Sequence, residues 1–227
     1  MTRQYLKMSF SYTEENYLKA IYSLSAANKE FATSTNEIAE KICNKPSTVT
    51  DMLRKLTDKK LIHYQKYRPV KLTKEGKTIA LQVIRKHRLW EVFLNQELKF
   101  SWDELHEVAE QLEHIQSEKL TSALDKYLGF PEHDPHGDPI PKANGEIKDV
   151  PKILLCEVKT GRQYRIAGVK DSSTLFLQYL EKLSITIGTK IKVLEKIDFD
   201  ESLVIQIGKV KKTTISKKFS QSILVDF

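Results

Sequence analysis

Cysteine and glycine are both scarce in this chain. Two cysteines, Cys43 and Cys156, lie far apart in apolar strings. That excludes a disulfide framework and predicts buried free thiols, as in a reducing compartment. With eight glycines in 227 residues, no Gly-framed nucleophile is evident. No run of eighteen apolar residues occurs, so no transmembrane helix is expected. The start, Met1 to Lys7, lacks the apolar stretch of a signal peptide, which points to the cytoplasm. Prolines number seven, and five of them fall within residues 131–151. What is present is ordinary for a globular protein: 40% hydrophobic and 30% charged residues, enough for a core in one large domain or two smaller ones.

The net charge of +7 conceals a partition. Residues 41–90 hold 14 Lys/Arg against 3 Asp/Glu, a net of +11. Residues 91–150 hold 5 against 14, a net of −9. Residues 1–40 are near neutral at 4 against 5, and residues 151–227 are basic at 14 against 8. A basic block followed by an acidic one suggests that the first binds a polyanion and the second binds cations.

Helical periodicity covers 12–27, where Tyr17, Leu18, Ile21, Tyr22 and Leu24 recur at helical spacing. Ser34 and Glu37 form a capping box for a short helix over 36–42. Pro46 suits the first turn of a third helix with Val49, Met52, Leu53 and Leu56 as its apolar stripe. Two strand-like pieces, 61–65 and 70–72, flank a tip of Lys66, Tyr67, Arg68 and Pro69. Three helices and a small hairpin are the winged helix-turn-helix pattern. A long apolar-rich helix follows over about 74–98. Ser101 and Glu104 cap the next one, and a further helix spans 117–128, closed by Gly129. Such helices beyond a small DNA-binding unit usually supply a dimer interface. The proline-rich stretch 131–151 reads as an ordered turn-rich segment or a linker. Beyond it come five short strands, 153–158, 164–169, 189–194, 203–207 and 222–225, and one helix, 174–183, the pattern of a small barrel. The expected fold is mainly α with a small β domain. It has a winged helix-turn-helix over 1–73, a helical domain over 74–130, a linker over 131–151, and a small β-barrel over 152–227.

The candidate ligands are concentrated in the acidic block. His106, Glu110, Glu113 and His114 follow at spacings of four, three and one, so a helix would gather them on one face. His87 and Glu91 form another pair four apart. Imidazole nitrogen with carboxylate oxygen suits divalent first-row metals. His133, Asp134, His136 and Asp138 have no regular element to fix them and are not counted as ligands. In the basic block the third helix carries Lys45, Ser47, Thr48, Thr50 and Asp51 in its first turns, then Arg54 and Lys55. The N-terminal residues of a recognition helix reach base edges in the major groove. Lys66 and Arg68 at the wing tip, with Lys59, Lys60 and Lys71, would meet phosphates.

This order of parts resembles the diphtheria-toxin-repressor family of metal-dependent transcription regulators, which includes iron-dependent and manganese-transport regulators. The resemblance covers nearly the whole chain. Its specific stretches are Glu15 to Tyr22, Pro46 to Thr50, Leu72 to Gly76, Arg85 to Leu89, Leu112 to His114 and Gly137 to Pro141. It implies a homodimeric repressor that binds a palindromic double-stranded operator, with Mn2+ or Fe2+ as co-repressor at two sites per subunit, a metal-binding and dimerisation role for the helical domain over 74–130, and an SH3-like (FeoA-type) form for the β-barrel over 152–227. In the implied assignment, Asn16, Glu110, Glu113 and His114 form one site, and His87, Glu91 and His106 form the other. In manganese-type members the helix-four histidine, here His87, joins the first cluster instead. Asn16 stands where the family usually has a thioether or a carboxylate, and Glu14 or Glu15 is a substitute after a small shift. Lys19 stands where manganese-type relatives often have a carboxylate. Arg165 and Gly168 align with the barrel ligands of iron-type relatives, so that role does not transfer. Glu110 replaces a cysteine of iron-type members, and a purely nitrogen-and-oxygen donor set favours Mn2+, with Fe2+ close behind.

Two rival readings remain. His106-Glu-Val-Ala-Glu110 is one residue short of the His-Glu-x-x-His of zinc hydrolases, with Glu110 where the second histidine belongs. A winged-helix regulator sensing an organic ligand would leave these side chains merely solvated.

Overall fold

The computed structural model describes residues 10–26, 28, 31–148, 150–208 and 211–226. The chain divides into two compact units. One comprises residues up to 87 with 112–117 and 141–146, and the other comprises 88–111, 118–140 and 147–227.

In the first unit α1 (Tyr12–Ala26), α2 (Thr35–Lys41) and α3 (Pro46–Asp58) precede a hairpin of β1 (Ile62–His63) and β2 (Lys71–Leu72). The local chemistry accounts for these bounds. Ser34 and Glu37 form the expected reciprocal capping box at α2. Pro46 opens α3, where its missing N–H costs nothing. The hairpin pairs Ile62 with Leu72 and His63 with Lys71, and a bridge from Thr33 to Val70 ties its base to the start of α2. Leu18, Ile21, Ile38, Val49, Leu53 and Leu56 are fully buried in one apolar cluster. α4 (Lys74–Gln96) begins beneath the hairpin, where the Thr73 hydroxyl accepts from the Gly76 N–H at 3.1 Å. A Cβ on Gly76 would lie 2.0 Å from the Leu61 carbonyl oxygen, so the helix approaches the strand only through glycine. Cys43 sits exposed in the α2–α3 turn at φ +51°, and Cys156 is half-buried. The expectation of two buried thiols therefore fails, because the apolar strings around them end in turns.

In the second unit the C-terminal half of α4 packs Leu89 and Val92 against Leu124 of α6 (Glu118–Tyr127) and against Ile140. α5 (Trp102–Leu112) contributes its residues up to Gln111. Glu104 caps its start by accepting from the Ser101 N–H and hydroxyl. Gly129, at φ +74°, ends α6. The β domain holds six strands: β3 (Ile153–Leu154), β4 (Gln163–Val169), β5 (Lys190–Lys196), β6 (Leu203–Ile207), β7 (Lys211–Ile215) and β8 (Ile223–Asp226). They form one antiparallel sheet in the order β3-β8-β4-β5-β6-β7. Among the described residues no ladder joins β7 to β3, so this SH3-like domain is not a hydrogen-bonded closed barrel. The strand expected over 153–158 stops at Leu154, where a 3-10 turn over Leu155–Glu157 follows. α7 (Thr174–Leu183) matches its expected span. α8 (Lys217–Ser222) and β7 were not foreseen. Phe219 of α8 meets the rings of Phe176 and Tyr179, each at 5.6 Å, which anchors this short helix.

Candidate functional site

Within the first unit, α1, α4 and the turn after α5 converge on a buried polar cluster. α5 ends at Leu112, so Glu113 and His114 lie in the turn beyond it and not on the helical face shared by His106 and Glu110. His87 Nδ1 lies 2.6 Å from Glu113 Oε2. His114 Nδ1 lies 2.6 Å from Glu15 Oε2, and its other nitrogen is 3.7 Å from Glu113 Oε1. Gln116 donates to Glu15 at 2.5 Å, and Tyr12 stacks on His114 at 4.6 Å. Glu113 is wholly buried, and Glu15, His87 and His114 are buried with it. Lys19 donates to both oxygens of Glu113, at 2.7 and 2.8 Å. Burial pulls the Lys86 ammonium below its usual range, and Glu15 and Glu113 offset part of that. Two imidazoles and two carboxylates brought together by three elements fit a divalent cation by donor chemistry. Asn16 adds a second sign, because its buried Oδ1 has no hydrogen-bond partner, and such an oxygen is costly to leave unsatisfied. The first-helix residue that reaches the histidine, however, is Glu15. Glu14 faces elsewhere: its carboxylate lies 2.6 Å from Lys59 and 3.0 Å from Lys55, both of α3. Burial works to raise the Glu14 pKa, but hydrogen bonds from Lys59, Ser11 and Lys55 outweigh it and hold the carboxyl below its ordinary value.

The second unit holds a cluster of its own residues. Glu91, Asp134 and His136 each present a ligand atom, all within 4.8 Å of one another. His136 Nδ1 is 3.7 Å from Glu91, and its buried Nε2 has no hydrogen-bond partner. His106 approaches Glu91 at 3.8 Å and Glu110 at 3.4 Å but is mostly exposed. Asp134 is fixed by accepting the N–H groups of His136 and Asp138, each at 2.9 Å. Desolvation first, then the Glu91 and Asp138 charges, push its carboxyl up to about 8 against the pull of Arg88. A carboxyl held near neutrality beside another carboxylate and an orphaned imidazole nitrogen fits a cation by the same donor chemistry. Sequence reasoning passed over Asp134 and His136 for want of a regular element. The missed signal is Gly137. At φ +88° its Cα is so close to β4 that a Cβ would lie 2.2 Å from the Ala167 carbonyl oxygen. His136 and β4 are further joined by the Val169 N–H donating to the His136 carbonyl. The 132–140 stretch is thus an ordered turn held on the sheet.

On α3, Val49, Leu53 and Leu56 are buried, while Ser47, Thr48, Asp51, Arg54 and Lys55 are exposed. Lys45 is exposed at the N-cap. The Thr50 hydroxyl donates back to the Pro46 carbonyl, and Arg54 pairs with Asp51 at 3.2 Å. At the wing, Tyr67 is 91% exposed with the Lys66 ammonium 4.9 Å from its ring centroid, and Arg68 is exposed beside it. The arrangement presents hydroxyls and cations with no apolar cover. Among the described residues no helix is long and apolar enough to cross a membrane.

Known protein families match this chain over three segments. Residues 9–70 match the family model "Iron dependent repressor, N-terminal DNA binding domain". Residues 73–142 match "Iron dependent repressor, metal binding and dimerisation domain", and residues 153–226 match "FeoA domain". The chain is 35% identical over 130 residues to the iron-dependent repressor IdeR of Mycobacterium tuberculosis, covering 57% of this chain and 55% of the relative. The match thus spans little more than half the length of that curated relative. Among solved structures, a manganese-dependent transcriptional repressor in complex with manganese is 34% identical with a TM-score of 0.81, over 93% of this chain and 98% of that one. ScaR with bound Cd2+ is 32% identical with a TM-score of 0.74, over 94% and 98%. The chain belongs to the diphtheria-toxin-repressor family of metal-dependent transcription regulators.

Proposed function

We propose that this protein is a cytoplasmic, homodimeric transcriptional repressor of metal-ion homeostasis, with Mn2+ or Fe2+ as co-repressor and no enzymatic activity. The observation that carries this reading is a pair of buried nitrogen-and-oxygen clusters in a chain that also presents an exposed helix face with hydroxyls of Ser47 and Thr48 and cations of Arg54, Lys55 and the N-cap Lys45. His87, Glu113 and His114 with Glu15, and the orphaned amide oxygen of Asn16, would hold one ion. Glu91, Asp134 and His136, with His106 and Glu110 of the same unit, would supply the other. No thiolate stands in either set, which favours Mn2+ and Fe2+ over thiolate-selecting metals. Bound there, the ion adds positive charge to carboxylates buried side by side.

This chain's own residues would transmit the effect. Glu15 and Glu14 are adjacent on α1. One bonds His114 in the cluster, and the other holds Lys55 and Lys59 of α3. Ser47, Thr48, Thr50 and Asp51 would read base edges, while Lys45, Arg54, Lys66 and Arg68 would meet phosphates, joined by Lys55 where it leaves Glu14. In a dimer the two recognition helices must stand roughly 34–36 Å apart to meet one face of a palindrome. A hydrolase is disfavoured because Glu110 occupies the position of the second zinc histidine.

Calorimetric titration with MnCl2 tests the metal reading. Glu113→Gln and His114→Ala are expected to weaken binding by more than about tenfold, as loss of a ligand or its support does. Unchanged binding heats and affinities in both variants would remove Glu113 and His114 from the site.

A further inference from the structure

Lys19 has no place in a metal site by donor chemistry, since an ammonium offers three donors and no acceptor. Yet it reaches the centre of the first cluster. Its Nζ donates to both oxygens of Glu113 at 2.7 and 2.8 Å, and Glu113 is wholly buried while the Lys19 side chain is 19% exposed. On the helix, Lys19 is three residues beyond Asn16, so the two share a face. A cation shared between both oxygens of a carboxylate occupies a lone pair on each and competes with a metal ion for the same charge. A second ammonium, Lys86, stands 4.0 Å from Glu15. The cluster's two carboxylates are therefore already opposed by two ammonium groups.

We propose that Lys19 is a resident cation of this site, a built-in competitor that holds Glu113 until a divalent ion displaces it and so sets the metal concentration at which the protein responds. This deepens the reading of His87, Glu113, His114 and Glu15 as a metal site and rests on it. The physical reason is direct. Unlike charges a few ångströms apart attract strongly in a partly dehydrated site. An ion that takes Glu113 must therefore replace that attraction and then tolerate the ammonium as a like-charged neighbour. The partly exposed Lys19 stem gives the ammonium a route to water once it is released.

The experiment is calorimetry of the full chain with MnCl2, comparing the wild type with Lys19→Met, Lys19→Gln and Lys19→Arg. Removing the charge is expected to tighten Mn2+ binding at least about tenfold, equivalent to about 1.4 kcal/mol, while Lys19→Arg stays at or below wild-type affinity. Thermal melts give a second readout. Metal-free Lys19→Met melts below the wild type because Glu113 loses its ammonium partner and keeps the imidazole of His87 close to it, and Mn2+ raises its melting temperature by more than it raises the wild type's. Lys19→Gln keeps a donor for Glu113 and answers the question if the methionine variant folds poorly. If the wild type binds Mn2+ and the neutral variants bind it equally or more weakly, Lys19 positions Glu113 and the inference is overturned while the metal site stands. If neither the wild type nor the neutral variants bind Mn2+, the site reading fails and the inference fails with it. Binding by the neutral variants alone supports both.

Discussion

Asp134 is a side chain whose surroundings shift its acid chemistry far from the ordinary. Its carboxyl is pushed up to about 8, by burial first and then by the Glu91 and Asp138 charges. An unfolded aspartate titrates near 3.9. Between those values the folded chain binds a proton that the unfolded chain has released. Stability from this group is therefore complete below about pH 4 and is lost as pH rises through about 8. Asp134→Asn keeps the shape without the ionisation, so the metal-free variant should melt higher than the wild type near pH 8, and its melting temperature should fall less between pH 6 and 8. For a chain of this size each kcal/mol corresponds to about 2–4 °C. Parallel melting curves for the two proteins across that range would contradict the assignment. At this scale the sequence was informative where helix spacing decides, as for His106 with Glu110, whereas His87 and Glu91, also four apart, go to different clusters. It was silent on Asp134 and His136, whose positions depend on Gly137 lying against β4. Glu15 is an intermediate case. It was a named substitute for Asn16, but only the packing of α1 shows it reaching His114.

In the proposed switch, the first turn of α1 is the element that would carry the coupling. Glu14 is buried and clamps Lys55 and Lys59 of α3, two cations that the recognition helix would otherwise offer to phosphates. Glu14→Gln is expected to lower stability by about 1–3 kcal/mol, the usual loss when a buried charged hydrogen bond is weakened. The same change should strengthen nonspecific DNA binding at low salt and steepen its salt dependence, because released lysines add phosphate contacts. A variant that melts with the wild type and shows the same salt slope would show that the clamp contributes neither. α1 to α7 were legible from apolar spacing, caps and the Pro46 start. β7 and α8 were not. β7 carries little apolar residue besides Ile215, and its pairing with β6 decides it. α8 is six residues long, below the reach of periodicity, and its only local sign is Ser216 capping the Phe219 N–H.

At the scale of the whole molecule, the partition of charge remains the broadest clue. A segment of net +11 precedes one of net −9, and the structure sets cations and hydroxyls exposed on α3 and the wing and gathers carboxylates with imidazoles in two buried clusters. If both serve one switch, metal and DNA affinities must be linked, and the linkage must be reciprocal. The most direct measurement uses a duplex enriched by the protein from a random library in the presence of MnCl2, with fluorescence anisotropy at constant ionic strength. The account predicts affinity about 5–150-fold tighter with MnCl2 than with a chelator, a gain abolished by Glu113→Gln. Equal affinity in MnCl2 and in chelator would contradict it.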